Sequence, residues 1–224
     1  MPTPIPPFLN IHSHRKPSSD AEFVIRNAYL HSPLKQLPNN YRLSNGIHPW
    51  FTGKLGIQDF EILDRAAHAN TCLSIGECGI DRANGEDLVR QLDVFTHQIE
   101  LANRIKKPLI LHVVRSYSDV LQIAKSIQVP FIVHGFQGSL QDGIALISKG
   151  ACLSFGASIL HKNNLQEIMG RMPLDKIYFE TDVAQISIQE IYKAAAFIRN
   201  VSVYSLRMAI WSNFERDFQL TYDY

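Results

Sequence analysis

Two histidines separated by one residue, His12-Ser13-His14, close the short run Phe8-Leu9-Asn10-Ile11. In a strand, residues two apart project from the same face, so this run sets two imidazoles side by side at its end. Such a pair is half of a metal site. Candidates for the other half recur along the chain, each ending a β-favouring run: Glu77, His112, His134 and, after Glu180-Thr181, Asp182. Four imidazoles and two carboxylates suit one or two divalent cations such as Zn²⁺, Mn²⁺ or Mg²⁺. A single histidine at a strand end is ordinary packing. Six such groups in the same phase are not, because burying that many ionisable groups without partners is costly.

The elements that must position them alternate along most of the chain. Strands are expected at Leu73–Glu77, Pro108–His112, Pro130–His134, Ala151–Phe155 and Lys176–Thr181. Helices are expected at Asp87–Lys106, Tyr117–Gln128, Leu140–Lys149, Asn163–Gly170, Ser187–Arg199 and Val203–Phe218, where apolar residues recur at three and four. Ser187 with Glu190 forms a capping box, and Gly150 is a C-cap choice. Near-continuous apolar strands between helices indicate buried parallel strands of an α/β fold. The first third is less regular. Strands are expected at Phe8–Ser13, Glu22–Tyr29 and Tyr41–Ile47, but the intervals between them are short and carry Pro17, Pro33 and Pro38. A parallel crossover takes roughly a dozen residues, usually with a helix. On that ground Glu22–Tyr29 is expected to run antiparallel or to lie outside the main sheet. The best expectation is one domain over residues 1–224, a TIM-like (β/α) barrel that is irregular or shortened around its first two βα units. Barrel strands bring their C-terminal ends to one face, where such enzymes place their chemistry. A doubly wound open sheet would instead put a site at one switch point.

Composition narrows the function. The formal net charge of +1 gives no broad electrostatic footprint for nucleic acid and no polybasic membrane patch, although a local, metal-centred grip on DNA stays compatible with it. No apolar run approaches the ~18 residues of a transmembrane helix. The N-terminal residues lack a signal-peptide pattern. Cys72, Cys78 and Cys152 form no metal or disulfide pattern and are read as reduced thiols of a cytoplasmic protein.

Taken in order, a series of segments carries a family resemblance. They are His12-Ser13-His14, Gly46-Ile47-His48-Pro49, Ser74-Ile75-Gly76-Glu77-Cys78-Gly79-Ile80-Asp81, Pro108-Leu109-Ile110-Leu111-His112, His134-Gly135-Phe136-Gln137-Gly138-Ser139, Leu153-Ser154-Phe155-Gly156, Glu180-Thr181-Asp182 and Asn213-Phe214-Glu215-Arg216. This series resembles the TatD family of metal-dependent hydrolases, amidohydrolase-like barrels that include deoxyribonucleases. The resemblance implies a dinuclear centre in which His12, His14 and Asp182 bind one metal, His112 and His134 a second, and Glu77 bridges the two. Asp182 would orient or deprotonate the attacking water, because a carboxylate beside a metal-bound water can relay its proton. His48 and Arg115 become candidates for contact with an anionic substrate, with Asp81, Glu180 and Asn213 as turn, ligand-supporting and capping residues.

Three departures from the family pattern stand out. Asn10 replaces an aspartate, the helix after the first strand is missing, and Val183-Ala184-Gln185 shortens the loop after Asp182; Trp50 also stands where the pattern has the second histidine of a His-Pro-His. The implied activity is hydrolysis of phosphodiester bonds by an exonuclease-type deoxyribonuclease on DNA ends or short single strands. The alternatives are hydrolysis of an amide, lactone or phosphate ester in a small molecule, and a metal-binding barrel whose catalysis has lapsed and which serves as a binding protein. No membrane and no obligate protein partner is implied.

Overall fold

The computed structural model describes residues 5–30, 37–84 and 87–220. Parts of the N-terminal run and Pro33 therefore lie outside the described residues. Eight strands form one sheet in chain order: β1 (Phe8–Ser13), β2 (Glu22–Ala28), β3 (Tyr41–Asn45), β4 (Cys72–Asp81), β5 (Leu109–Val114), β6 (Phe131–Val133), β7 (Ala151–Phe155) and β8 (Ile177–Phe179). All seven successive pairings are parallel. The sheet curls until β1 meets the end of β8. There His14 N–H donates to Asp182 O (3.1 Å) and Asp182 N–H donates to His12 O (3.1 Å). Those two closing bonds make the fold a nearly closed barrel. They also fix three of the candidate metal ligands beside one another.

Helices follow the later strands: α1 (Ile57–Ala67), α2 (Leu88–Ile105), α3 (Tyr117–Ile123), α4 (Leu140–Ser148), α5 (Asn163–Arg171), α6 (Ile188–Arg199) and α7 (Val203–Phe218). Their ends carry the expected chemistry. Asp87 caps α2 through Val89 N–H and Arg90 N–H, Ser139 and Asp142 form a capping box on α4, and Ser187 caps α6 through Glu190 N–H. Asn213 on α7 donates to Leu174 O and Ile177 O, tying the last helix to the start of β8. Helix α1 was not anticipated, since its polar face leaves only Leu63 and Ala67 fully buried.

The second strand corrects the sequence expectation: β2 lies inside the sheet and parallel to both neighbours. The link from β1 to β2 is residues 14–21, with no helix. A six-residue strand rises about 20 Å, and eight extended residues reach ~27 Å, so an extended chain can return to the start of the next strand unaided. Ser18 N–H and Oγ–H both donate to Glu22 Oε2 (2.7 Å each) and hold that return in place. Beside it, Leu37 packs on a separate apolar cluster of Val24, Ala28, Tyr41 and Leu43. A residue of the β2–β3 connection thus does there what a helix does elsewhere in the barrel.

Candidate metal centre

The ends of β1, β4, β5, β6 and β8 converge on Glu77, which is 4% exposed. Its two oxygens face different partners. Oε1 lies 2.7 Å from His112 Nδ1, 2.8 Å from His134 Nε2 and 3.3 Å from His48 Nε2. Oε2 lies 3.7 Å from both His12 Nε2 and His14 Nε2, and those two nitrogens are 3.6 and 3.4 Å from Asp182 Oδ1. Close approach of β4 to its neighbours makes this possible. The register shifts between Ile75 and Cys78 against β5, and a Cβ on Gly79 would stand 2.1 Å from His112 O. Only glycine admits that approach.

Partners behind the centre orient the histidine rings. His112 Nε2 faces Asp81 Oδ2 at 3.1 Å and His134 Nδ1 faces Glu180 Oε1 at 3.3 Å. Each ring thus lies between two carboxylates, the outer one and Glu77, and the outer one would keep its N–H when a cation takes the nitrogen facing Glu77, the carboxylate–histidine pairing that raises ligand basicity in metal sites. His48 is arranged differently. Its Nδ1 accepts Trp50 N–H (3.1 Å), so Nε2 carries the proton and faces Glu77 Oε1 and His112 Nδ1, each at 3.3 Å. Asn27 Nδ2–H donates to Glu77 Oε2 (2.9 Å), while Asn27 Oδ1 accepts Glu77 N–H (3.1 Å).

Burial pushes the Glu77 carboxyl up. The His134 charge and hydrogen bonds from His112, His134 and His14 outweigh it and hold the group well below the usual carboxylate range. Burial likewise lowers His134, but Glu77 and Glu180 on either side raise it well above an ordinary imidazole. Burial lowers His48 on balance. Asp182 is desolvated too, yet the His12 imidazole 3.6 Å away brings it below its ordinary value.

These residues fit a divalent-cation centre on an internal observation. His12 is fully buried, and neither of its ring nitrogens has a hydrogen-bond partner. Buried polar atoms are nearly always satisfied, so this imidazole needs an occupant beside it. Three groups of donor atoms close enough for one ion occur among the described residues: His12, His14 and Asp182; His12, Glu77 and His134; and His48, Glu77 and His112. They open into a cleft of about 300 Å³ lined also by Tyr29, Trp50, Phe51 and Val183.

All six expected ligands therefore meet, and His48 stands beside them. Arg115 does not join them: it is exposed at the end of β5 with φ +53° and is not among the residues lining the cleft. Three participants were missed in the sequence: Asn27, Asp81 and Trp50. Asn27 was hidden by the doubt over β2, and Asp81 was read as a turn residue. Asp81 does serve its turn, accepting Ala83 N–H and Asn84 N–H on Oδ1. Its Oδ2 takes both His112 and the Trp50 indole N–H (2.7 Å). Trp50 is thus a support for the carboxylate behind His112. An aspartate four residues after the central glutamate on one strand was the available signal.

Comparison with known proteins agrees with this geometry. The family model described as TatD related DNase matches residues 26–219. The chain is 24% identical over 200 residues to an uncharacterized metal-dependent hydrolase of Haemophilus influenzae, covering 79% of this chain and 76% of that protein. It is 26% identical over 212 residues to the uncharacterized metal-dependent hydrolase YcfH of Escherichia coli K12, covering 86% and 79%. In three dimensions it is similar to YJJV, a TatD homolog from Escherichia coli K12, with a TM-score of 0.83 at 20% identity over 96% of this chain and 98% of that one. The chain belongs to the TatD family of metal-dependent hydrolases.

Proposed function

We propose that this hydrolase acts on phosphodiester bonds of DNA through a dinuclear metal centre, releasing nucleotides from ends or short single strands. The observation that carries the proposal is the division of Glu77, whose Oε2 faces His12 and His14 while its Oε1 faces His112 and His134. A carboxylate so placed is suited to bridging two ions, one with His12, His14 and Asp182, the other with His112 and His134. Bound divalent ions would lower the pKa of a coordinated water and draw charge from a phosphoryl oxygen.

The chain's own groups supply the rest. The Asp182 side chain is 38% exposed where Glu77 is 4% exposed, so it is the carboxylate of the set that solvent reaches and the one assigned to take the water's proton. Asp81 and Glu180 would hold His112 and His134 with the nitrogens on the Glu77 side turned to a bound cation. His48, which lines the cleft and faces Glu77 Oε1 through Nε2, would turn that N–H to a phosphate oxygen when cations engage Glu77. The family's deoxyribonuclease name favours DNA as the substrate.

The test supplies purified protein with Mg²⁺, Mn²⁺ or Zn²⁺ in turn and follows nucleotide release from end-labelled single-stranded DNA. Release is expected with at least one of the metals, and Asp182→Ala should slow it by about 10²–10⁴-fold. Turnover of small esters without any DNA cleavage would replace this substrate assignment. Stoichiometric metal with no turnover on either would overturn the catalytic one.

A further inference from the structure

An apolar chamber opens beside the cleft. It has a volume of about 260 Å³ and is lined by Tyr29, Leu30, Ile47, His48, Phe51 and Leu55, together with Gly46 and Asp59. Tyr29, His48 and Phe51 line the cleft as well, so the two spaces share a wall. Tyr29 and Phe51 are each 52% exposed although both are large aromatic side chains. Their rings meet edge to face at 6.0 Å, and Phe51 also lies 5.9 Å from the His48 ring. The aromatic rim is thus built against the imidazole assigned to the phosphate and continues from it into an apolar recess.

The lining decides what such a recess can hold. Sugar hydroxyls would find few partners among Leu30, Ile47, Phe51 and Leu55 and would be left unsatisfied. The volume falls short of the ~300–1,000 Å³ of pockets that take drug-sized ligands. A flat, weakly polar ring system suits both limits, and aromatic side chains bind one by stacking whatever its sequence identity. A ring inserted here must be free of a complementary strand, because a paired base presents its faces only to its neighbours in the stack.

We infer that the Tyr29–Phe51 chamber is a nucleobase subsite, which takes one unpaired base of a single-stranded substrate whose phosphate sits at the metal centre. The inference deepens the proposed nuclease reading and rests on it for the position of the phosphate. The other half-exposed aromatic at the rim, Trp50, is committed through its indole N–H to Asp81 and serves better as a reporter. The chain has two tryptophans, and Trp211 is 1% exposed, so a ligand near the rim is sensed at Trp50.

The experiment uses metal-free protein and an uncharged probe, so that neither catalysis nor phosphate binding enters. Deoxyadenosine is titrated while tryptophan fluorescence is excited at the red edge, where the nucleoside does not absorb, and deoxyribose serves as the control. Saturable quenching by deoxyadenosine and none by deoxyribose is expected. Tyr29→Ala and Phe51→Ala, both at half-exposed positions, should each weaken it by about fivefold or more, in line with base–aromatic stacking. Absence of saturable quenching in the wild-type protein, or unchanged quenching in both variants, overturns the subsite whether or not DNA is cleaved. Base binding with no DNA hydrolysis under any metal would leave the subsite standing and reject the nuclease reading.

Discussion

The neutral amide of Asn10 is matched to its buried neighbour Glu22. The Asn10 amide donates to Glu22 Oε1 (2.8 Å) and to Thr181 Oγ1 (2.8 Å), and its carbonyl accepts Thr181 N–H (3.0 Å). Both Asn10 and Glu22 are buried. One neutral side chain thereby satisfies a buried carboxylate and fixes the residue next to Asp182. An aspartate there would face Glu22 at hydrogen-bond distance, and the two could not both ionise. Asn10→Asp should therefore lower the thermal midpoint. The shared carboxyl would have a folded pKa raised above its unfolded value, so the loss should grow as pH rises from about 4 to 7. Thermal melts across that range check the sign; a loss that shrank with rising pH would contradict it.

Asp81 makes a second prediction for single residues. Its Oδ2 accepts from both Trp50 and His112, and an amide cannot offer an acceptor at that corner without turning its NH₂ on the turn N–H groups at Oδ1. Asp81→Asn should weaken metal binding by about 10- to 100-fold, measured by competition with a chelator. The six candidate ligands were legible in the sequence because each ends an apolar run, which is how a parallel strand presents a polar group at a barrel mouth. Asn27, Asp81 and Trp50 were not, because what they do depends on partners contributed by other strands and loops.

At the scale of elements, β4 is the strand on which the site turns. It pairs with β3 and β5, its register slips against both, and it carries Glu77 and Asp81. Gly79 lies opposite His112 with φ +139°, and a Cβ there would collide with the His112 backbone. Gly79→Ala should cost about 1–3 kcal/mol or more. For a chain of this length that lowers the melting midpoint by roughly 2–12 °C, and metal affinity should fall with it because the strand displaced is the one carrying His112. Differential scanning calorimetry with and without metal separates the two effects. The later strands and helices were legible from their period and caps. The parallel sense of β2 was not: the rule of a long helical crossover gave way where a short strand lets an extended segment span the return.

For the whole molecule, the barrel is sealed at sites remote from the metal as well. Cys152 on β7, Tyr178 on β8 and Asp217 on α7 form a buried cluster, in which the Tyr178 hydroxyl donates to Asp217 Oδ2 (2.8 Å) and the Cys152 thiol lies 3.4 Å from the same oxygen. Burial, reinforced by the Asp217 charge, pushes the Cys152 thiol up to about 12 and Tyr178 well above an ordinary phenol. In the unfolded chain a thiol ionises near 8.5 and a phenol near 10. Above those values the unfolded state holds fewer protons than the folded one, so stability falls as pH rises. In chelator, the unfolding midpoint should decline between about pH 8.5 and 11, and Cys152→Ala should flatten the first part of that decline.

The central claim is that Glu77 joins two ions across the barrel mouth, and one measurement addresses it directly. Crystals soaked in Mn²⁺ or Zn²⁺ should give two anomalous difference peaks, one on each side of the Glu77 carboxylate. For Zn²⁺, each peak should lie about 2.0–2.2 Å from its ligands, one among His12, His14 and Asp182 and the other between His112 and His134. A single peak at full occupancy, or peaks that leave Glu77 outside the coordination of either ion, would contradict the account.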